Sequence, residues 1–138
     1  MIEKHQVMLL LIESCKSYKS TWDKYMSENY HEGDEQLLYM DLSNFAKYII
    51  KIYKSGENDC LYDVFNTIEI INNDGDEYVQ EAITIGLLED IQNFALGEKI
   101  ELNEFEKYLG RESSKWWKQI DKFWTGKIKY VGETLKDE

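Results

Sequence analysis

The chain has 138 residues, of which 43% are hydrophobic and 31% are charged, and its formal net charge is −11. This composition fits one domain with one buried core and argues against an intrinsically disordered chain. The acidity excludes nucleic acid and anionic lipid as natural partners. No apolar run approaches the roughly 20 residues of a membrane-spanning helix, and no signal-peptide pattern is present. We therefore expect a single cytoplasmic domain over residues 1–138 that does not bind membranes.

The negative charge is concentrated in the middle of the chain. Residues 28–106 contain 4 lysines and 19 aspartates or glutamates, a net charge of −15, whereas the segments on either side are slightly basic. Such a concentration of charge steers basic protein surfaces toward the domain. It also opposes folding through self-repulsion, so a docking role would give it a purpose beyond solubility.

Apolar residues recur at helical spacing along most of the chain, and no strand pattern competes with them. The first helix is predicted from about Ile2 into the twenties, before a charged loop at 28–35. A second helix covers roughly 37–54. A third helix begins after Asn58 or Asp59, either of which is a suitable capping residue.

The fourth predicted helix, over about 76–96, is apolar over so wide an arc that we expect it to be the central helix. Gly86 in its middle costs about 1 kcal/mol relative to alanine, and close approach of a neighbouring helix is the usual compensation. Asp74 with Glu77 resembles a capping box and predicts the start of this helix.

Two shorter helices complete the pattern. Asn103 with Glu106 predicts the start of one, and the other covers about 113–124. After Gly126 we expect a short extended piece and, from about residue 127, a frayed tail. Because the chain has no proline, helices are expected to end at glycines in the left-handed conformation. These glycines are Gly56, Gly97, Gly110 and Gly126.

The connectors between the predicted helices are short, and short connectors favour antiparallel neighbours. The predicted fold is therefore all-α, a compact bundle of five or six helices in antiparallel hairpins. A stack resembling a short helical-repeat array is the alternative. Cys15 and Cys60 lie in apolar helical patterns, and we expect buried thiols in a reducing compartment, with a disulfide as the less favoured alternative.

The usual catalytic and metal-binding motifs are absent from the sequence. The histidines His5 and His31 lack a second ligand at helical spacing. The polar cluster around Gly75 fails as a calcium loop, because Ile70 would occupy the first ligand position. We therefore expect no metal, no cofactor and no enzymatic activity.

Two glutamates, Glu69 and Glu89, lie inside apolar helical stretches. If they shared a pocket, such a pair could serve as general acid and base of a small hydrolase. The favoured interpretation is structural, in which each accepts hydrogen bonds from a neighbouring helix, from Arg111 or from a tryptophan indole.

Tryptophan and acidic residues supply the candidates for partner binding. Three tryptophans crowd the last predicted helix. Packing in the core is the favoured interpretation, but at least one is expected to reach the surface, where it would suit an interface. The acidic loops at 28–35, 57–59 and 73–77 would form a common rim if hairpin packing brought them together. The candidates are Glu28, Tyr30, Glu32, Asp34, Glu35, Glu57, Asp59, Asp74, Asp76, Glu77 and Trp117.

Several motifs also resemble a family of small bacterial helical proteins of uncharacterised domain type. The matching stretches are 86–93, 108–110, Trp116-Trp117, Phe123-Trp124 with Gly126 and, upstream, Phe65 with Ile68-Glu69. Proteins of this kind are similar to the immunity proteins of bacterial polymorphic toxin systems, which are small, acidic and single-domain. The resemblance implies an all-helical fold and supplies no catalytic residues.

From the charge and the resemblance together, we expect an immunity-type or antitoxin-type protein that binds and neutralises a basic toxin domain through its acidic surface. A general protein-binding adaptor or regulatory domain of the same fold is the alternative, and a hydrolase using the paired glutamates is the third.

Overall fold

The computed structural model describes residues 1–124, which are helical almost throughout. Two 3₁₀ segments, Lys16–Tyr18 and Leu102–Tyr108, and one π-helical segment, Ala82–Leu88, accompany the α-helices of this range. The seven α-helices are α1 Lys4–Ser14, α2 Lys19–Asn29, α3 Leu38–Lys54, α4 Leu61–Asp74, α5 Glu77–Glu81, α6 Glu89–Gly97 and α7 Arg111–Trp124. The all-helical prediction is confirmed, and the predicted number of helices is too low. The Gly126 cap, the extended piece and the frayed tail lie outside the described residues.

The predicted first helix is two helices because the chain turns at Cys15. Its backbone angles of φ −143° and ψ 82° are not helical, and it forms a disulfide with Cys60 across a Cα–Cα distance of 5.3 Å. The expectation of free thiols is therefore wrong. Apolar periodicity predicted the burial of Cys15, which is 1% exposed, but it cannot indicate a partner 45 residues away.

The disulfide and a backbone bridge tie the two ends of α1 to α4. At one end Cys15 joins Cys60, and at the other Ile2 donates its N–H to the carbonyl of Asp74 at 2.8 Å and accepts from the N–H of Asp76 at 2.9 Å. Because Cys60 precedes α4 and Asp74 ends it, α1 and α4 run antiparallel. The N-terminus is thereby held against the turn between α4 and α5.

The segments α5, Ala82–Leu88 and α6 follow one another without a break and form the central helix that the sequence predicts. This composite helix runs roughly parallel to α3, since Tyr39 contacts Tyr78 near one end and Lys54 pairs with Glu98 near the other. At Gly86 a Cβ atom would lie 3.1 Å from Cδ1 of Tyr39. The predicted close approach at this glycine is confirmed.

Helix ends depart from the sequence prediction in detail. Gly56 has a φ of +78°, as expected of a left-handed cap. Lys99 takes the positive φ after α6 in place of Gly97, and Gly110 precedes α7 instead of closing a helix with a left-handed turn. At the start of α5 the capping residue is Asp76, whose Oδ1 accepts from the N–H of Val79 at 2.9 Å.

The capping predictions from the sequence are wrong at the helix starts. Asp74 is the last residue of α4, and the capping position of α4 is Cys60 instead of Asn58 or Asp59. The segment Leu102–Tyr108 has Glu101 at its capping position instead of Asn103. The core lies between α1, α3, α4 and the composite helix, with α7 and the second 3₁₀ segment closing one side. Among residues 1–124, no helix is both long and apolar enough to cross a bilayer.

Candidate protein-binding surface

The predicted acidic rim is divided between opposite ends of the molecule. The loop at 28–35 precedes α3 and the loop at 57–59 follows it. At 1.5 Å per residue, the 17 residues of α3 separate these loops by about 25 Å. Glu57 and Asp59 therefore do not share a surface with the other acidic candidates. The sequence did indicate this separation, because the two loops flank one predicted helix, over roughly 37–54, and a helix holds its two ends apart.

The loops at 28–35 and 73–77 do lie at one end. Lys4 connects them, since its Nζ is 3.8 Å from a carboxylate oxygen of Glu35 and 5.8 Å from the ring centre of Tyr78. We call this the acidic end, and its exposed carboxylates outnumber its cations. The acidic residues are Glu3, Glu32, Asp34, Glu35, Asp74 and Glu77, with Asp76 half-buried among them.

A buried aspartate holds the loop between α2 and α3. Asp41, which is fully buried, accepts hydrogen bonds from the hydroxyls of Tyr25 at 2.8 Å and Tyr30 at 2.7 Å and from the amide of Gln36 at 3.0 Å. Burial and then these bonds raise the pKa of both tyrosines, which remain neutral. The Tyr30 hydroxyl also accepts from the N–H of Leu37 at 2.8 Å. Tyr30 thus positions the acidic loop, with its hydroxyl engaged inside the protein.

Two exposed tyrosines lie beside the acidic end. Tyr39 of α3 and Tyr78 of α5 are 37% and 43% exposed, and their rings meet edge to face with centroids 6.1 Å apart. Burial and then the charge of Glu81 raise the pKa of Tyr39, which places that carboxylate near its hydroxyl. Tyrosine is enriched among residues that dominate protein interfaces. An exposed aromatic pair beside the carboxylate of Glu81 and next to the acidic end suits a basic, partly apolar partner surface.

On the other flank of α5 is a polar pocket of about 320 Å³. The carboxylates of Glu77, Glu81 and Glu112 line it, and the half-buried Trp116 forms part of its wall. Asn72 also lines the pocket; it is 3% exposed, and its Nδ2 has no hydrogen-bond partner. Carboxylates beside an indole ring favour a cation. Lys115 already pairs with Glu112 at 3.3 Å and lies 5.4 Å from the centre of the Trp116 ring, so Glu77 and Glu81 are the carboxylates left for a cation of a partner. The remaining lining residues are Gln80, Thr84 and Ile85.

We refer to the tyrosine pair, the pocket and α5 between them as the α5 surface. No ion pair within residues 1–124 neutralises Glu77 or Glu81. Thr84 and Ile85 of its pocket belong to the π-helical segment, a distortion that often accompanies functional sites.

The structure places the predicted binding residues as follows. Trp117 is 1% exposed and packs against Phe105, so it does not offer the predicted anchor; Trp116 lines the pocket and Trp124 is 40% exposed. The helix has one inward position for two adjacent tryptophans, and the sequence alone did not determine which one occupies it. Exposed candidates at or near the acidic end are Glu28, Glu32, Asp34, Glu35, Asp74 and Glu77.

Sequence reasoning missed Tyr39, Tyr78, Glu81 and Glu112. A signal was present in the composite helix, where Tyr78, Glu81 and Ile85 follow at helical spacing and put large apolar groups on a polar face. The contribution of α3 and α7 to the same surface depends on packing between distant segments.

The structural interpretation of Glu69 is confirmed. Its carboxylate accepts from the N–H groups of Glu112 at 2.9 Å and Ser113 at 2.8 Å, and from the Ser113 hydroxyl at 2.7 Å. Burial alone would raise the pKa of Glu69, but these bonds and one from Asn73 lower it. Burial raises the pKa of Glu89. A carboxylate held ionised as a helix cap is poorly suited to proton transfer near neutral pH.

Comparison with known proteins identifies a family whose function is unknown. No curated protein and no solved structure matches the chain significantly. A family model described as a domain of unknown function, DUF7674, matches residues 8–125. That range contains α2 to α7 and most of α1, and with them the whole α5 surface. The chain therefore belongs to the DUF7674 family.

Proposed function

We propose that this protein binds a basic protein partner through the α5 surface, and that it acts as an immunity-type or antitoxin-type protein that neutralises a toxin domain. The observation that carries the binding proposal is the combination, around one short helix, of an exposed tyrosine pair with a carboxylate-lined pocket. The immunity role is supported by the small acidic domain and by the family resemblance described above.

The two parts of the surface would make different contributions to binding. Carboxylates of the acidic end attract a basic surface over a Debye length, about 8 Å at physiological ionic strength, and mainly raise the association rate. Tyr39 and Tyr78 supply apolar contact area and slow dissociation. The pocket beside Trp116 would receive an arginine side chain, whose contacts with Glu77 and Glu81 give specificity.

Two variants of equal charge test the location. Glu77→Lys with Glu81→Lys reverses two carboxylates of the α5 surface. Glu57→Lys with Asp59→Lys makes the same charge change near the start of α4, about 25 Å away along α3. Both pairs are exposed, so both variants should fold, which circular dichroism would verify.

The experiment begins with affinity purification of the tagged protein from its own host at low and moderate salt. We expect one stoichiometric basic partner that is toxic when produced alone and harmless when co-produced with the wild-type protein. The Glu77/Glu81 variant should associate at least about tenfold more slowly at low salt and fail to protect, while the Glu57/Asp59 variant behaves as wild type. Equal behaviour of the two variants would contradict the α5 surface as the binding site.

The same purification separates the alternatives. Several substoichiometric partners, none of them toxic, would favour an adaptor or regulatory domain. A partner that binds the Glu77/Glu81 variant unchanged would require another surface. Because the Glu69 carboxylate caps α7, a hydrolase that depends on it has no support from the site geometry.

A further inference from the structure

A second cavity lies between α3 and α6, away from the α5 surface. It is an open groove of about 850 Å³, within the size range of small-molecule sites. Its lining is mainly apolar with a few charged groups, which is the usual composition of such a site. The lining residues are Lys47, Ile50, Lys51, Lys54, Ser55, Asn93, Phe94, Gly97 and Glu98.

The groove gathers the cations of an acidic chain. Residues 28–106 hold only four lysines, and three of them, Lys47, Lys51 and Lys54, line this one cavity. They recur at helical spacing on α3, so their Cα atoms lie within about 10 Å of one another along the helix axis. Clustered like charges repel, and the acidic segment offers many carboxylates to neutralise them.

This charge is only partly neutralised. Lys54 pairs with Glu98 at 2.7 Å. Lys47 lies over the Phe94 ring at 5.7 Å from its centre, and its charge also acts on the carboxylate of Asp90. No ion pair of Lys51 occurs within the described residues. The groove thus retains a positive charge that is opposite in sign to the net charge of the protein.

Between the lysines lies an apolar floor. Ile50 is 4% exposed and packs into the core, and the half-buried Phe94 packs beside it. A stable protein interface needs roughly 800 Å² from each partner with an apolar centre. A floor of two apolar side chains is too small for that and is matched to the hydrocarbon or aromatic body of a small molecule.

We propose that the groove between α3 and α6 binds a small anionic amphiphile, with a carboxylate, sulfonate or phosphate head on Lys47 and Lys51 and an apolar body on Ile50 and Phe94. The bound head supplies the counter-charge that the lysine cluster lacks. This proposal does not depend on the proposed function, since it concerns other residues and a different class of ligand.

The test compares two ligands with the same ten-carbon chain and opposite head charges. Decanoate and decyltrimethylammonium are titrated separately into the ¹⁵N-labelled full-length protein, and amide shifts are followed by NMR. We expect decanoate to bind saturably, with shifts centred on Ile50, Phe94 and Gly97. The cationic ligand should produce no saturable shift at these residues.

Charge-removing variants test the role of the lysines. Lys47→Gln with Lys51→Gln keeps most of each side chain and should weaken decanoate binding by about tenfold. Lys24→Gln with Lys118→Gln removes the same charge from exposed positions outside the groove and should change affinity less than about twofold. The single variant Lys51→Gln, which disturbs no ion pair of the described residues, is the fallback if the double variant is destabilised.

Several results would overturn the proposal. One is equal binding of decanoate and decyltrimethylammonium, and another is the same loss of decanoate affinity in both pairs of lysine variants. Either result would mean that the lysine side chains only cover the apolar floor and that their charge binds no ligand. Shifts centred outside the groove, or no decanoate binding, would exclude the site. Binding of an acidic amphipathic peptide without binding of decanoate would make the groove a protein-docking site instead.

Discussion

Removal of the Glu69 carboxylate should destabilise the fold by detaching α7 from α4. The first N–H groups of a helix have no partner within the helix, and Glu69 satisfies two of them, those of Glu112 and Ser113, from a neighbouring helix. It also accepts from the Ser113 hydroxyl, and Ser113 is fully buried. Few groups within α7 or the solvent could replace it there.

The magnitude follows from these bonds. Replacement of a helix-capping side chain by alanine costs about 0.5–2 kcal/mol, and hydrogen bonds to a charged group contribute about 1.5–3 kcal/mol. We therefore expect Glu69→Ala to lower the free energy of unfolding by about 3 kcal/mol, and Glu69→Gln by about 2 kcal/mol. For a domain of this size the first change lowers Tm by roughly 10 °C. Glu13→Ala, at an exposed position of α1, is the control and should change stability by less than about 0.5 kcal/mol.

The effect should depend on pH in a defined direction. Because the hydrogen bonds lower the pKa of Glu69 in the folded protein, its carboxylate contributes stability above the ordinary glutamate pKa of about 4.3 and loses it as pH falls through the folded value. The difference between wild type and Glu69→Gln should therefore be largest near pH 7 and shrink toward pH 3. Urea unfolding followed by tryptophan fluorescence measures it.

Gly110 provides a double-mutant test of the same geometry. A Cβ atom at Gly110 would overlap the Glu69 carboxylate, with its Cγ only 2.5 Å away. Gly110→Ala should cost at least about 2 kcal/mol in the wild type and almost nothing once Glu69 is alanine. Additive losses in the double variant, or a Glu69→Ala loss no larger than that of Glu13→Ala, would refute this account of the cap.

Three further changes test other parts of the structure. Burial raises the pKa of Asp90 to about 6, so its ionisation costs stability as pH rises from about 4 to 6. Asp90→Asn should therefore raise the free energy of unfolding by about 1 kcal/mol at pH 8 and leave it unchanged below pH 4. A constant gain across a pH series of unfolding curves would contradict this. Removal of the disulfide by Cys15→Ser with Cys60→Ser should cost about 2–4 kcal/mol, since the bond closes a loop of 45 residues; alkylation of two thiols without reductant would show that no disulfide forms. Gly86→Leu should cost more than about 2 kcal/mol by forcing Tyr39 from α5, whereas Gly86→Ala, which needs only a small movement of that ring, should change Tm by a few degrees at most.

Much of the fold was predictable from the sequence because a helix depends on residues that are close together in the chain. The spacing of apolar residues located α3, α4, the composite helix and α7 to within a few residues, and Gly86 indicated the close approach that the structure contains. The break at Cys15 was not predictable in the same way, because apolar spacing continues across it. Cys15, where the chain turns, is joined to a residue 45 positions away, and periodicity carries no information about such pairs.

The candidate site was predicted only in part, for the same reason. Acidic residues of the loops at 28–35 and 73–77 were identified and lie at one end. The tyrosine pair was missed, because Tyr39 and Tyr78 are 39 residues apart and meet only once α3 and α5 pack. Glu69 was expected to accept hydrogen bonds from a neighbouring helix, which is correct, but its donors near the start of α7 were not foreseen.

The net charge of a segment does not describe the surfaces that the segment forms. Residues 28–106 average to a strongly acidic stretch, yet their carboxylates collect mainly at helix starts and loops, while three of their four lysines fall on one face of α3. A helix turns once every 3.6 residues and so brings positions 47, 51 and 54 together, whatever the charge of the residues between them. The fold therefore separates one acidic sequence into an acidic surface along α5 and a basic groove beside α6. If the average charge of the segment controlled binding, charge changes on the α5 surface and in the groove would alter the binding of one partner equally. Because the two charged surfaces lie apart in the fold, charge changes at Glu77 and at Lys51 should affect the binding of two different ligands.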